Sequence, residues 1–268
     1  MPANVWVHPT CFLPRSGAKT LKWDESSPQI DQEVNPGEPY RCFSDMIILL
    51  IISLLLVALT VYLFNQWSRN RMPSKKQRAR VVRELKADMD TWSSDLVKMS
   101  KEELDLFSLT QDKQVVKKGA GASAKGTFTT IFHEPVVSYS YRRFLGKKVN
   151  ELLYARTADN DYVYWTQNGK TTLEINDQPV GRIENNVLLG ERTGKELARI
   201  EATPRENYLP VSVGNREVGA LTSLQARADD PLGQRAFEFI PDDLNDKEEQ
   251  LLMSLAMREL VKRSVPAQ

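Results

Sequence analysis

A chain of 268 residues has room for one large domain or two modest ones. Its 36 basic and 35 acidic side chains leave a formal net charge of +1, and charged residues make up 26% of the sequence. This balance speaks against a highly charged disordered chain and gives no sign of a nucleic-acid-binding protein.

The first segment, residues 1–45, carries several prolines and no sustained hydrophobic periodicity, which predicts an irregular arm. It holds both cysteines of the chain, Cys11 and Cys42. In an oxidising compartment these two could form a disulfide that closes the arm, and two free thiols are an equally open alternative.

The next segment, residues 46–64, reads MIILLIISLLLVALTVYLF and contains no charged side chain. Fourteen of these nineteen residues are Leu, Ile, Val or Phe. As a helix rising about 1.5 Å per residue the segment spans about 30 Å, the thickness of a bilayer hydrocarbon core. It begins too late and runs too long for a cleaved signal peptide, so we expect a single retained transmembrane helix.

Charge is distributed unequally around this apolar segment. Seven Lys or Arg residues and no acidic residue occur between residues 65 and 83, whereas the arm has four basic and six acidic side chains. By the positive-inside rule this predicts an outer N-terminus and a cytoplasmic C-terminal part. The host would be a bacterial inner membrane or an organellar inner membrane.

Residues 65–111 predict basic juxtamembrane amphipathic helices. Apolar residues at helical spacing run from Val81 to Leu96, within a helical pattern that ends about Lys98. Ser100 and Glu103 then form the sequence of a capping box, which indicates the start of a second, short helix.

Residues 112–126 are rich in glycine, alanine and lysine and predict a flexible linker. From residue 127 onward, short alternating stretches rich in β-branched and aromatic residues predict strands. Three hairpins share one design, with turns of Asn-Asp, Thr-Gly or Gly-Asn. Such local pairing predicts an antiparallel barrel of about 10–12 strands over residues 127–268. A capping box at Asn245 and Glu248 begins a C-terminal helix that would plug the barrel or cover one end.

These hairpins, with second strands that end Val-Gly-x-Ile and an apolar C-terminal helix after them, resemble the tubby-like superfamily, which includes the phospholipid scramblases. The resemblance covers residues 127–264 and implies a barrel that encloses its C-terminal helix. This chain differs in placing a transmembrane helix before the barrel. In an enclosed helix, Arg258 and Glu259 would need an open barrel end or internal partners.

A basic patch, formed by Arg142, Arg143, Lys147 and Lys148, follows a strand that reads Ser-Tyr-Ser-Tyr. Together with the basic start of the first amphipathic helix, this patch could bind the phosphates of anionic lipid headgroups. A solvated loop and an ordinary positive-inside flank are the alternatives. The candidate headgroup-binding residues are Arg78, Arg80, Arg142, Arg143, Lys147 and Lys148. No motif for acyl transfer, metal hydrolysis or nucleotide binding occurs, so we expect no catalytic, cofactor-binding or metal-binding residues.

The sequence favours a non-catalytic accessory or scaffold subunit of a larger membrane complex, anchored by one helix and covering the cytoplasmic face of that complex. Its partners would be membrane lipids and other integral membrane subunits, which contact the 46–64 helix and the 1–45 arm. Nucleic acid is not an expected partner. The alternative is a membrane-tethered lipid-binding or lipid-sensing module, which the tubby-like resemblance implies.

Overall fold

The computed structural model describes most of the chain from residue 39 onward. The described residues are 39–117, 121–146, 148–201, 203–205, 208–223 and 235–265. The chain divides into two compact units, Met1–Val57 and Ala58–Gln268, and the whole β-rich part belongs to the second.

The apolar segment lies in helix α1, Pro39–Asn70. Within α1, the stretch Met46–Ser68 is long and apolar enough to cross a membrane, and its side chains are exposed throughout. Residues 39–45, predicted as irregular, are instead helical. Proline is tolerated in a first helical turn, and α1 begins at one. The helix ends shortly before Pro73, because a proline disfavours helical angles in the residue that precedes it.

Within the described residues, twelve strands form one antiparallel sheet in which each strand pairs with the next in sequence. An antiparallel bridge joins Ser108 of the first strand to Arg235, which lies just before the last. The sheet is therefore a nearly closed barrel, as predicted. Its strands are β1 Phe107–Lys117, β2 Ser123–Thr130, β3 Pro135–Arg143, β4 Glu151–Arg156, β5 Asp161–Gln167, β6 Lys170–Ile175, β7 Gln178–Glu184, β8 Val187–Gly190, β9 Glu196–Ile200, β10 Tyr208–Val213, β11 Arg216–Thr222 and β12 Phe237–Phe239.

The prediction of a linker at residues 112–126 is wrong, because β1 and β2 occupy most of that segment. Residues 118–120 lie outside the described part. Gly126, which suggested flexibility, pairs with Gln114 in the first hairpin. A Cβ at Gly126 would lie only 2.6 Å from Cε1 of Tyr139, so the tyrosine ring occupies the space of a side chain. The glycine is therefore required for packing.

Tight turns with left-handed backbone angles set the register of several hairpins. The three predicted turns are confirmed, with positive φ angles at Asn176, Asp177, Gly194 and Gly214. Two further turns of this kind, which the sequence reasoning missed, occur at Asn168–Gly169 and Asn185–Asn186. Asparagine and glycine tolerate these angles better than other residues, which explains why the turns occur at these positions.

Both predicted capping boxes begin helices. The Ser100 N–H donates to the Glu103 carboxylate at 2.9 Å, at the start of a 3-10 helix, Lys101–Leu106. Asn245 precedes helix α3, Asp246–Ser264, and its side-chain oxygen accepts the Glu248 N–H at 2.9 Å. In return, the Glu248 carboxylate accepts the Asn245 N–H at 3.1 Å.

Helix α3 lies inside the barrel. All residues from Leu251 to Met257 are buried, and because successive helical residues point about 100° apart, every side of the helix is covered. Its side chains belong to one core cluster that includes residues of all twelve strands. Tyr164 of β5 donates its hydroxyl to the Ser254 carbonyl oxygen at 2.5 Å. The C-terminal helix thus plugs the barrel.

Helix α2, Lys75–Asp90, is the predicted amphipathic helix, although it ends before Lys98. Polar residues of low helix propensity follow Asp90, which accounts for the earlier end. Its apolar face packs on protein, with Leu85 and Met89 buried against the outer wall of the barrel. The wall residues in this cluster are Phe144, Leu152, Tyr154, Val163 and Trp165.

Ion pairs also attach α2 to the barrel. The Arg78 guanidinium lies 2.5 Å from the Glu174 carboxylate of β6 and 5.2 Å from the ring centroid of Trp165. Lys86 pairs with Asp161 of β5 at 3.2 Å. Because these pairs are only partly shielded from solvent, each contributes modestly, and apolar burial is the larger part of the attachment.

Asp161 is the acceptor at the centre of this attachment. Its carboxylate accepts the Tyr154 hydroxyl at 2.7 Å and the Arg156 Nε–H at 2.8 Å. Burial alone would raise the pKa of Asp161, but the hydrogen bonds from Arg156, Tyr154 and Lys86 outweigh burial and leave that pKa below its usual value.

We expect the protein to lose stability in acid partly through Asp161. A carboxyl whose pKa is lowered by folding stabilises the fold above its unfolded pKa of about 3.9, and this contribution disappears as the pH falls through the lower folded pKa. The melting temperature of the full-length protein in detergent should therefore fall less between about pH 5 and about pH 3 for Asp161→Asn than for the wild type. The exposed residue Asp242 provides the control, since Asp242→Asn should follow the wild type. Equal pH dependence in all three proteins would contradict the expectation.

Candidate functional site

The C-terminal end of α1 joins one end of the barrel, which we call the anchor end. The Asn70 carbonyl oxygen accepts the Leu145 N–H at 2.7 Å, and Arg71 forms a parallel bridge with Leu145. The Asn70 side chain also packs on Gly121, where a Cβ would lie 2.7 Å from its Oδ1. The anchor end is therefore the end that carries the β1–β2, β3–β4 and β5–β6 connections.

The connection between β3 and β4, residues 144–150, is held by hydrogen bonds at both sides. The Phe144 N–H donates to the Asn150 carbonyl oxygen at 2.8 Å, which closes the loop. The neighbouring β5–β6 turn donates to it as well, from Gly169 to the Val149 carbonyl oxygen at 3.3 Å and from Asn168 to the Asn150 side chain at 3.1 Å. The positions of Phe144, Val149 and Asn150 are thus set by several contacts.

Three of the predicted headgroup-binding residues lie at the anchor end. Arg142 and Arg143 are half-buried at the end of β3, and Lys148 is exposed in the loop that follows. Lys147 lies outside the described residues. The patch therefore lies near Asn70, the residue at which α1 ends. This proximity could not be predicted from the sequence, in which the two are far apart.

The two predicted residues of α2 are placed differently. The Arg78 side chain, 24% exposed, is the one that pairs with Glu174 on the barrel wall. The Arg80 side chain is 78% exposed and pairs with Glu84 one turn along α2 at 3.0 Å. Arg80 thus faces solvent, whereas Arg78 contributes to the packing of α2.

The predicted disulfide lies outside what the structure describes. Cys11 is outside the described residues, and Cys42 falls within α1 but its side chain is not among those described. Within the described ranges from residue 39 to residue 265, no group of three or more His, Cys, Asp or Glu side chains is placed to hold a metal ion.

A polar cluster that sequence reasoning missed lines the barrel interior at the anchor end. Tyr141 donates its hydroxyl to the Glu151 carboxylate at 2.7 Å, and Thr166 donates to the other oxygen of that carboxylate at 3.3 Å. The Thr166 and Thr171 hydroxyls lie 2.8 Å apart. Arg258 of α3 reaches the Thr171 hydroxyl at 3.4 Å. The strand residues of this cluster occupy inward positions, in phase with the apolar core residues of their strands.

Charge and burial shift the titration of several groups there. Burial raises the pKa of Tyr141, and the negative charge of Glu151 raises it further. Burial lowers the pKa of Arg258. The pKa of Lys262, one turn further along α3, is lowered by burial and by the positive charge of Arg258. Lys262 itself is exposed to solvent, so the cation of the interior at this end is Arg258, whose charge faces the carboxylates of Glu151 and Glu259.

Arg258 and Glu259, which were expected to need an open barrel end or internal partners, both have hydrogen-bond partners within the protein. Arg258 contacts Thr171, and the Glu259 carboxylate accepts the Arg263 Nε–H at 3.0 Å. Arg263 also donates to the Thr222 carbonyl oxygen of β11 at 2.6 Å. Chemically, the anchor end offers cations and hydroxyls that attract negatively charged groups.

Comparison with known proteins adds no further assignment. No protein-family model, no curated protein and no solved structure matches this chain. The resemblance to the tubby-like superfamily therefore stays a proposal, based on the pattern of hairpins and the apolar C-terminal helix.

Proposed function

We propose that the protein is a non-catalytic accessory or scaffold subunit of a larger membrane complex, with α1 crossing the bilayer and the barrel on the cytoplasmic side. The observation that carries this proposal is the exposed apolar surface of Met46–Ser68, which in water would be strongly unfavourable. Lipid and the helices of other subunits are the surroundings that would cover it. A bacterial or organellar inner membrane is the proposed host.

The junction between α1 and the barrel supports a scaffolding role over simple tethering. A tether needs only a flexible connection, but here Asn70 is hydrogen-bonded to Leu145 and its side chain packs on Gly121. The chain then continues into α2, which is attached to the barrel wall by Leu85 and Met89. Only four residues separate α1 from α2, so the connection between these two helices is short.

The test is the size of the native particle. Full-length protein, released from its native membranes by mild detergent, should migrate well above the mass of a monomer and bring other integral membrane proteins with it. A variant in which residues 46–64 are replaced by an unrelated apolar span of equal length should stay in the membrane and migrate as a monomer. Migration of the wild type solely as a monomer would overturn the proposal.

A second candidate function, a lipid-binding or lipid-sensing module of tubby-like kind, is favoured by the basic residues beside the end of α1. Arg142, Arg143 and Lys148 would lie at the headgroup level of an anionic leaflet, where each contributes about 1 kcal/mol. Mild-detergent preparations of the full-length protein should then retain anionic lipid, and replacing the three residues with glutamine should remove it. Equal retention by both proteins would count against this candidate.

A further inference from the structure

Two apolar side chains of the β3–β4 connection are exposed at the anchor end. Leu145 is 38% exposed and Val149 is 42% exposed, although hydrogen bonds to the Leu145 N–H and the Val149 carbonyl oxygen hold the backbone at both residues. Together with the exposed lysine at position 148, these two apolar residues form an amphipathic surface. Such surfaces are typical of segments that lie at a membrane interface.

The position of the loop identifies what covers it. The stretch of α1 that is long and apolar enough to cross a membrane ends at Ser68, and Asn70 lies two residues further, about 3 Å along the helix axis. The Asn70 carbonyl oxygen accepts the Leu145 N–H at 2.7 Å. If Ser68 is at the edge of the hydrocarbon core, the backbone of Leu145 lies in the adjoining headgroup layer.

The neighbouring residues of α1 have the composition expected at that depth. The Trp67 ring lies 6.0 Å from the Phe64 ring, and the Arg71 guanidinium is 5.3 Å from the Trp67 centroid. Tryptophan and arginine at the end of an apolar helix are typical of a membrane boundary. The loop therefore lies beside an interfacial belt.

We propose that Leu145 and Val149 insert into the headgroup and upper acyl region of the leaflet that surrounds the C-terminal end of α1, as a second contact between this protein and the bilayer. The partner of this surface is lipid. Because the two side chains contact the apolar part of the lipid, neutral lipid is sufficient. The proposal rests on the proposed crossing of the bilayer by α1. It makes the barrel a domain that lies on the membrane surface through its anchor end.

The test uses full-length protein in nanodiscs of neutral phosphatidylcholine, labelled with an environment-sensitive fluorophore at one introduced cysteine. Cys11 and Cys42 are first replaced by serine, and the label is placed at Val149→Cys. Phe132→Cys provides the matched control, because Phe132 is 66% exposed in the β2–β3 turn at the opposite end of the barrel. Leu55→Cys, within α1, reports on the span itself.

The label at residue 149 should emit at shorter wavelength than the label at residue 132 and be quenched several-fold by lipids that carry a quencher on the acyl chain. The label at residue 55 should be quenched as well, and the label at residue 132 should not. Quenching at residue 55 without quenching at residue 149 would overturn the inference, whether the loop is exposed to water or is covered by another protein. The proposed membrane anchor would not be affected by that result. Absence of quenching at residue 55 would overturn the proposed function itself.

Discussion

Replacement of Leu252 by alanine should lower the free energy of unfolding by about 2–5 kcal/mol. Leu252 of α3 is fully buried. Its methyl carbons pack against Gly219 of β11, where a Cβ would lie 3.4 Å from each of them. Because the wall surrounds α3 on all sides, the helix cannot move to fill the cavity without opening another. Denaturant-induced unfolding of the full-length protein in detergent micelles measures the change.

Lys247→Ala is the matched control for this experiment. Lys247 is exposed in the first turn of the same helix, so its truncation should change the free energy of unfolding by less than about 0.5 kcal/mol. If Leu252→Ala and Lys247→Ala destabilise the protein equally, α3 is not the enclosed core of the barrel.

The architecture of the barrel was predictable because its local signals agree with its global order. Each strand pairs with the next in sequence, so alternation within a strand and the residues of a turn suffice to indicate the pairing. The register of β6 with β7, for example, follows from left-handed angles at Asn176 and Asp177. The prediction from sequence was wrong where a residue is required by a contact outside its own segment. Gly126 suggested a flexible linker, but it is a glycine because the Tyr139 ring occupies the space of a side chain.

The packing of α2 on the barrel is indicated in the sequence by a strand that is apolar on both faces, but the sequence does not show which element covers it. The strand β4 reads ELLYAR, and both its inward residue Leu153 and its outward residues Leu152 and Tyr154 are buried. A strand that is apolar on both faces indicates that something covers the outside of the barrel. Identifying α2 as the cover requires tertiary information, because its partners lie about 55 to 80 residues away.

The candidate site was predictable only in part. Basic residues next to an apolar run predicted a patch at the membrane, but the contact of Asn70 with Leu145 is set by the folded barrel. The interior cluster joins Glu151 of β4 to the surroundings of Arg258 in α3, residues separated by more than a hundred positions. Their proximity follows from the alternating direction of the strands and the path of α3 towards the anchor end.

Replacement of Gly181 by alanine should disrupt the barrel wall between β7 and β8. Gly181 pairs with Gly190 across these strands, and a Cβ at Gly181 would lie 2.1 Å from the Leu189 carbonyl oxygen. That oxygen belongs to the backbone, so relief requires the two strands to separate and their hydrogen bonds to lengthen. Overpacking alone costs about 1–3 kcal/mol, and the lost hydrogen bonds add about 1 kcal/mol each, so we expect a loss of about 3 kcal/mol or more.

Gly190→Ala is a control in the same pair of strands. A Cβ at Gly190 would lie 2.9 Å from Oγ1 of Thr193, a side-chain atom that can rotate away, so the loss of stability should be clearly smaller than for Gly181→Ala. Thermal unfolding of both variants, in the full-length protein in detergent, compares them directly. Because the two glycines face each other in one hairpin, differences in strand propensity or exposure cannot produce the contrast. Equal melting temperatures for the two variants would mean that β7 and β8 do not approach each other as closely as this register requires.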